Sequence, residues 1–140
     1  MFVDASAIVA ILTEEPDADA LAAVLEGAEA PITSAVAIFE AALGLRRKRH
    51  ASVEEACQDV RDFLAAAEVR PVPLGLREAE LALTAFDRYG KGRGHPAQLN
   101  LGDCFAYAAA RAHGVALLFK GEDFDQTDIA PAAAPAARAP

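Results

Sequence analysis

The sequence is short of basic residues. Its 140 residues carry 13 Lys and Arg against 21 Asp and Glu, which gives a formal net charge of -8. A balance this acidic argues against a nucleic-acid-binding protein, because such proteins usually present a basic surface. The objection weakens if several of the acids share one site with a bound cation, since the cation cancels their charge locally.

Cysteine and long apolar runs are also scarce. The two cysteines, Cys57 and Cys104, lie in predicted helical or apolar segments, and we expect both to be reduced residues of a cytoplasmic protein. No apolar run approaches the length needed to cross a bilayer. The first residues lack the basic start and cleavage pattern of a signal peptide. We therefore expect no association with a membrane.

The common signatures of nucleophilic, nucleotide-binding and zinc chemistry are missing. There is no nucleophile elbow, no P-loop and no GxGxxG motif after a strand. His50, His95 and His113 show no ligand spacing such as HExxH, and we expect them in loops or at the surface. Carboxylates therefore remain as the candidate functional groups.

Four acidic residues stand alone in apolar or charge-poor segments: Asp4, Glu40, Asp103 and Asp123. Glu40 is the only polar side chain in residues 35–45, and Asp103 is the only formal charge in residues 94–110. An isolated carboxylate among aliphatic side chains is costly unless it is capped, paired or bound to a cation. The four together predict a shared site for a divalent metal. Oxygen ligands alone favour Mg²⁺ or Mn²⁺ over Zn²⁺.

Each of these acids also has a structural explanation. Asp4 can cap the helix that follows it, and Asp103 suits the first turn of a helix. Asp123 is a common type of turn residue. Glu40 can pair with an arginine from elsewhere in the chain. The joint pattern favours a metal site more than any single residue does.

Short apolar segments alternate with helical ones along the chain. Strands are predicted near residues 2–4, 31–33, 69–72 and 116–119, and helices near residues 5–13, 16–26, 34–49, 52–67, 76–89 and 101–113. This order predicts a single α/β domain over residues 1–129, with a central, mostly parallel sheet flanked by helices on both faces. Sites in such sheets form beyond the carboxyl ends of the strands. Residues 130–140 are rich in Ala and Pro, and we expect a disordered tail there.

Several segments carry a family resemblance: residues 3–7 (VDASA), 39–41 (FEA), 89–93 (YGKGR), 99–108 (LNLGDCFAYA), 117–124 (LLFKGEDF) and 127–129 (TDI). Through them the chain resembles the PIN-domain ribonucleases, specifically the VapC-type toxins of bacterial toxin–antitoxin pairs. The resemblance covers nearly the whole chain except the tail. It implies a PIN-like nuclease domain that hydrolyses RNA with Mg²⁺ or Mn²⁺. It also implies a homodimer and a cognate VapB-type antitoxin as partner.

The resemblance implies roles for individual residues. Asp4, Glu40, Asp103 and Asp123 match the catalytic acidic quartet, in which Asp4, Asp103 and Asp123 would bind the metal. Glu40 would act directly or through a bound water. Ser6 and Asn100 match the polar residues that support the quartet. Glu122 and Asp125 lie beside Asp123, and we choose Asp123 as the fourth acid because it precedes Phe124.

Two basic groups are candidates for guiding RNA toward an acidic pocket. Residues 46–49 are all basic, but such residues also suit the C-terminal end of a helix. Arg88, Lys91 and Arg93 lie on or near a glycine-rich loop, and glycine gives that loop freedom to close on a nucleic-acid backbone. We therefore favour Arg88, Lys91 and Arg93.

Two other functions stay open at this point. The first is a non-catalytic interaction module with a PIN-like fold. The second is a phosphatase of the aspartyl-phosphate type, which usually needs a second Asp two residues after its nucleophile. Ser6 occupies that position after Asp4, which disfavours the phosphatase.

Overall fold

Four parallel strands form the central sheet in the computed structural model, which describes residues 1–132. They are β1 (Phe2–Val3), β2 (Ile32–Ser34), β3 (Arg70–Val72) and β4 (Leu117–Leu118), in the spatial order β3-β2-β1-β4. Phe2 pairs with Ile32 on one side and with Leu117 on the other. The predicted parallel sheet is therefore confirmed, and β1 lies inside it.

Within the described residues, six α-helices cover the sheet: α1 (Ala5–Leu12), α2 (Ala18–Glu26), α3 (Ala35–Arg49), α4 (Val53–Ala66), α5 (Leu76–Tyr89) and α6 (Leu101–His113). Phe2 and Leu117 belong to a core cluster that includes α5 and α6, whereas Val3 and Leu118 belong to a second cluster that includes α1, α3 and α4. Successive strand residues point to opposite faces of a sheet. The helices therefore lie on both faces, as the alternating pattern predicts.

Side-chain caps begin α1, α3 and α6. The Asp4 carboxylate accepts a hydrogen bond from the Ser6 N–H at the start of α1. The Ser34 hydroxyl accepts from the Ala37 N–H at the start of α3, and the Asn100 side chain accepts from the Asp103 N–H at the start of α6. These caps satisfy backbone donors that have no partner within the helix. At α1 and α3 they also fix the point where the preceding strand, β1 or β2, ends and the helix begins.

The predicted start of the disordered tail, at residue 130, lies too early in the sequence. The Leu117 N–H donates to the Ala130 carbonyl (2.9 Å), and the Ala132 N–H donates to the Leu117 carbonyl (2.8 Å). Pro131 thereby pairs with Leu117 at the edge of β4. Residues 130–132 are therefore held against the sheet, and the rest of the predicted tail lies outside the described residues.

The structure also bears on the cysteines and on membrane insertion. Cys57 and Cys104 are both free thiols; Cys104 is buried and Cys57 is half-buried. Within residues 1–132, none of the helices combines the length and the apolar character that a membrane span requires.

Candidate active site

Asp4 is the most deeply buried of the four predicted acids. It follows β1 directly, its N–H donates to the Leu118 carbonyl of β4 (3.0 Å), and only 4% of the residue is exposed. Its Oδ2 atom accepts hydrogen bonds from the Ser6 N–H (3.0 Å) and the Ser6 hydroxyl (2.5 Å). Burial raises the pKa of Asp4, the Ser6 hydrogen bonds oppose that rise, and the charge of Asp123 adds to it. Ser6 therefore supports Asp4 directly, in the position that the sequence motif indicates.

Glu40 projects from the second turn of α3 onto the start of α6. A Cβ atom added at Gly102 would overlap the Glu40 carboxylate, so this close approach depends on the glycine. Burial raises the pKa of Glu40 to about 7, and the charges of Asp4 and Asp103 contribute to the rise. The sequence places Glu40 on an apolar helix but carries no signal for its contact with Gly102.

Asp103 is held by reciprocal hydrogen bonds with Asn100. Its Oδ2 atom accepts from the Asn100 N–H (3.1 Å), and its own N–H donates to Asn100 Oδ1 (2.9 Å). Burial raises the pKa of Asp103 to about 6; the Asn100 N–H opposes the rise, and the charges of Asp4 and Asp123 add to it. Asp103 is therefore both a capping-box residue of α6 and a member of the acidic group. The capping explanation and the site explanation are compatible for this residue.

Asp123 is the exposed member of the group. It opens a short 3₁₀ turn (Asp123–Gln126) after β4, and this turn is anchored by the buried Phe124, whose ring lies 5.1 Å from that of Phe119. The charge of Asp123 contributes to the raised pKa of both Asp4 and Asp103. The structure thus brings Asp123 into the electrostatic field of these two acids, and the choice of Asp123 over Glu122 and Asp125 stays a prediction.

The four acids lie together without a basic partner. None of the ion pairs in residues 1–132 involves Asp4, Glu40, Asp103 or Asp123. The arginine partner considered for Glu40 is therefore not found among the described residues. Within the same residues, no group of three or more His, Cys, Asp or Glu side chains is already arranged to hold a metal ion. The oxygen atoms and the uncompensated charge fit Mg²⁺ or Mn²⁺ chemically, and the carboxylates would have to move closer to chelate one.

The predicted RNA-guiding residues, Arg88, Lys91 and Arg93, form no ion pair with the acidic group within residues 1–132. Arg88 pairs with Asp128 (3.8 Å), Arg93 pairs with Asp87 (2.8 Å), and Lys91 is exposed on the glycine loop. Their role in RNA binding stays a prediction.

Other basic residues do lie beside the acids. Arg47, Lys48 and Lys120 line a groove of about 450 Å³ together with Ser6 and Glu40. Lys120 was not among the basic residues that the sequence indicated as RNA-guiding. Its position two residues after the end of β4 and three residues before Asp123 was the available signal.

The comparisons with known proteins identify the family. A family model of the PIN domain matches residues 1–130. The chain belongs to the PIN domain family. Within that family its relatives are VapC ribonucleases: one from Rhizobium meliloti (strain 1021) is 43% identical, with 91% of this chain and 98% of the relative covered. Ribonuclease VapC30 of Mycobacterium tuberculosis is 41% identical, with 96% and 100% covered.

A solved structure agrees with the PIN fold. The crystal structure of Mycobacterium tuberculosis VapC20, described as a sarcin–ricin loop cleaving toxin, superposes with a TM-score of 0.75. It covers 95% of this chain and 98% of VapC20 at 15% sequence identity. At that identity the likeness concerns the fold. The family resemblance and the α/β fold inferred from the sequence motifs are both confirmed.

Proposed function

We propose that this PIN-domain protein is a Mg²⁺- or Mn²⁺-dependent ribonuclease and the toxin of a VapBC-type toxin–antitoxin pair. The observation that carries the proposal is the meeting of Asp4, Glu40, Asp103 and Asp123 without a basic partner in residues 1–132. The negative charges of these acids raise one another's pKa values, and such repulsion is costly unless a cation compensates it. The VapC ribonuclease relatives support RNA as the substrate.

The chain's own residues have distinct tasks in this proposal. Asp4, Asp103 and Asp123 would hold the metal ion, with Ser6 and Asn100 fixing the first two carboxylates. When bound, such an ion lowers the pKa of a water and stabilises negative charge on the phosphate. Glu40, whose pKa is about 7 in the metal-free protein, is suited to accept a proton from the attacking water. No side chain needs to become covalently attached to RNA.

Cleavage assays test this function against the two other hypotheses. The protein is incubated with single-stranded RNA in Mg²⁺, in Mn²⁺ and in EDTA, beside Asp103→Asn and a matched control, Asp19→Asn, at an exposed acid of α2. The expected result is RNA fragments with 5′-phosphate ends, only with metal, lost in Asp103→Asn and kept in the control. Phosphate release from small esters without RNA cleavage would favour the phosphatase. No reaction with either substrate would favour the interaction module.

We also propose a homodimer that forms through an apolar groove between α5 and α6. This groove, of about 410 Å³, is lined by Ala79, Ala82, Leu83, Phe86, Leu101, Cys104 and Phe105. Leu83 is 70% exposed and Leu101 is 68% exposed, and apolar patches of this kind mark interaction surfaces. Light scattering should find a dimer that Leu83→Asp converts to a monomer. Val53→Asp, at another exposed apolar residue on α4, serves as the control.

The second proposed partner is a VapB-type antitoxin that blocks the acidic pocket. The VapC relatives support this partner, and the unpaired carboxylates offer a binding site for a cationic side chain. Co-expression with the cognate antitoxin should yield a complex without ribonuclease activity. Recovery of full activity in the purified complex would contradict this part of the proposal.

A further inference from the structure

The groove beside the acidic group is where basic side chains from separate elements meet. Arg47 and Lys48 come from the last turn of α3, and Lys120 comes from the segment after β4. Glu40 and Ser6 line the same groove, so it is continuous with the candidate active site. The chain has a net charge of -8, and this composition does not predict a local group of cations next to the acids.

Glu15 holds two of these cations in place. Its Oε1 atom lies 2.5 Å from Lys48 Nζ and 3.3 Å from Lys120 Nζ, and Lys120 Nζ also lies 3.3 Å from Asp17 Oδ1. The Lys48 side chain is 47% exposed and that of Lys120 is 34% exposed, so both ammonium groups remain accessible from solvent. Lysine normally loses considerable side-chain freedom when it binds a ligand. Pairing with Glu15 restricts that freedom in advance.

Lys120 is also tied to the acidic group through its backbone. Its N–H donates to the Ser6 hydroxyl (3.0 Å), and that hydroxyl donates to Asp4 Oδ2 (2.5 Å). Gly121 follows with φ of +101°, a conformation that favours glycine, and the chain then reaches Asp123. The position of the Lys120 backbone is therefore fixed relative to both Asp4 and the 3₁₀ turn that carries Asp123.

We propose that Lys48 and Lys120 are RNA-positioning residues that bind backbone phosphates next to the one that is cleaved. The proposal rests on the ribonuclease function and names the path of the substrate at that same site. A lysine contact with a phosphate fixes the register of the strand and reads no base. Glu15 keeps the two ammonium groups oriented toward the groove before RNA arrives, which lowers the entropy lost on binding.

The first test separates binding from chemistry. Lys48→Ala and Lys120→Ala are compared with Arg61→Ala, which removes one positive charge from the exposed surface of α4. Each groove variant should raise KM for a cleavable single-stranded RNA about tenfold, as expected for loss of one charged hydrogen bond, and change kcat less than twofold. Lys48→Arg and Lys120→Arg should restore most of the affinity, because they keep the positive charge. Thermal melts of every variant confirm that it is folded.

The second test measures RNA binding alone. In a Glu40→Gln background with EDTA, fluorescence anisotropy of a labelled RNA gives Kd as a function of salt. Each groove lysine removed should lower the slope of log Kd against log salt by about 0.7, the value for one phosphate contact on a single strand. If Lys120→Ala does not fold, the salt slope of Lys48→Ala and the Kd of Lys120→Arg for RNA test the proposal instead.

Two results would overturn the proposal while leaving the ribonuclease function intact. One is that the groove variants keep wild-type KM, Kd and salt slope although Asp103→Asn abolishes cleavage. The other is that Arg61→Ala weakens RNA binding as much as they do, because the loss would then follow from the overall charge of the protein and not from the groove. A groove that binds the antitoxin instead of RNA would give the first of these results.

Discussion

The metal-free protein should lose stability as the pH rises through the range in which Glu40 titrates. Burial, with the charges of Asp4 and Asp103, raises the pKa of Glu40 from its ordinary 4.5 to about 7. The native state therefore holds this proton more tightly than the unfolded chain does. The resulting stabilisation is fully present below pH 4.5 and is lost as the pH rises to about 7. Asp103, with a pKa raised from 3.8 to about 6, contributes in the same direction.

The size of the effect follows from the difference between the two pKa values of Glu40. A rise from 4.5 to about 7 corresponds to about 3 kcal/mol at roughly 1.4 kcal/mol per pKa unit. Glu40 is only partly buried, and water screens the charges of its neighbours, so we expect about half of that, about 1.5 kcal/mol. Glu40→Gln removes the titrating group. In EDTA at pH 8 this variant should therefore be more stable than the wild type by about 1.5 kcal/mol, which raises Tm by about 5 °C.

Urea unfolding of both proteins in EDTA at several pH values between 4 and 8 measures this difference. Glu80→Gln, at an exposed acid of α5, controls for the loss of a negative charge at the surface. The free energy of unfolding of Glu40→Gln should exceed that of the wild type by near zero at pH 4 and by the full difference at pH 8. Added Mg²⁺ should diminish this difference. A variant that is less stable than the wild type at pH 8, or an advantage that does not depend on pH, would refute the electrostatic reasoning.

The remaining predictions concern the same group of residues. Asp4→Asn should abolish cleavage. In thermal melts the metal-free variant should be at least as stable as the wild type, because Asn also caps helices. A large loss of stability would mean that Asp4 serves only as the cap of α1. Mg²⁺ at 100 times its Kd should stabilise the wild type by about 2.7 kcal/mol, measured as a rise in Tm that Asp4→Asn lacks. Gly102→Ala should displace the Glu40 carboxylate and lower kcat, at a small cost in stability, because the displaced atoms are the end of a flexible side chain. A loss of more than about 1 kcal/mol in urea unfolding would mean that the added methyl group overlaps more than this carboxylate.

Local signals in the sequence predicted most of the fold correctly. Asp4 starts α1 because its side chain satisfies a backbone donor two residues later, and a contact this local was predicted from the sequence. The strands were recognisable as short apolar segments between helices, and their parallel order followed from the alternation. The boundary at residue 130 was misjudged because composition alone does not reveal backbone pairing. Pro131 is held at β4 by the hydrogen bonds of its two neighbours.

Contacts between distant segments were beyond the reach of the sequence. Glu40 was recognisable as a costly charge on an apolar helix, but nothing in its neighbourhood indicates that it lies on Gly102 of α6. Lys48 and Lys120 are far apart in the chain, and only the fold brings both to Glu15. The pairing of Arg88 and Arg93 with nearby aspartates was equally hidden, because it depends on the path of the loop. Side-chain positions set by tertiary packing are not encoded in residue spacing.

The order of strands in the sheet has a consequence for synthesis of the protein. β1 lies between β2 and β4, so the backbone of Asp4 finds its Leu118 partner only after nearly all of the described chain exists. Asp123 emerges from the ribosome later still. A nascent polypeptide that stalls before this point lacks both the fourth carboxylate and the strand that anchors the first one. Interrupted translation therefore yields fragments without the assembled acidic group, and the proposed nuclease can form only after β4 and Asp123 have been made.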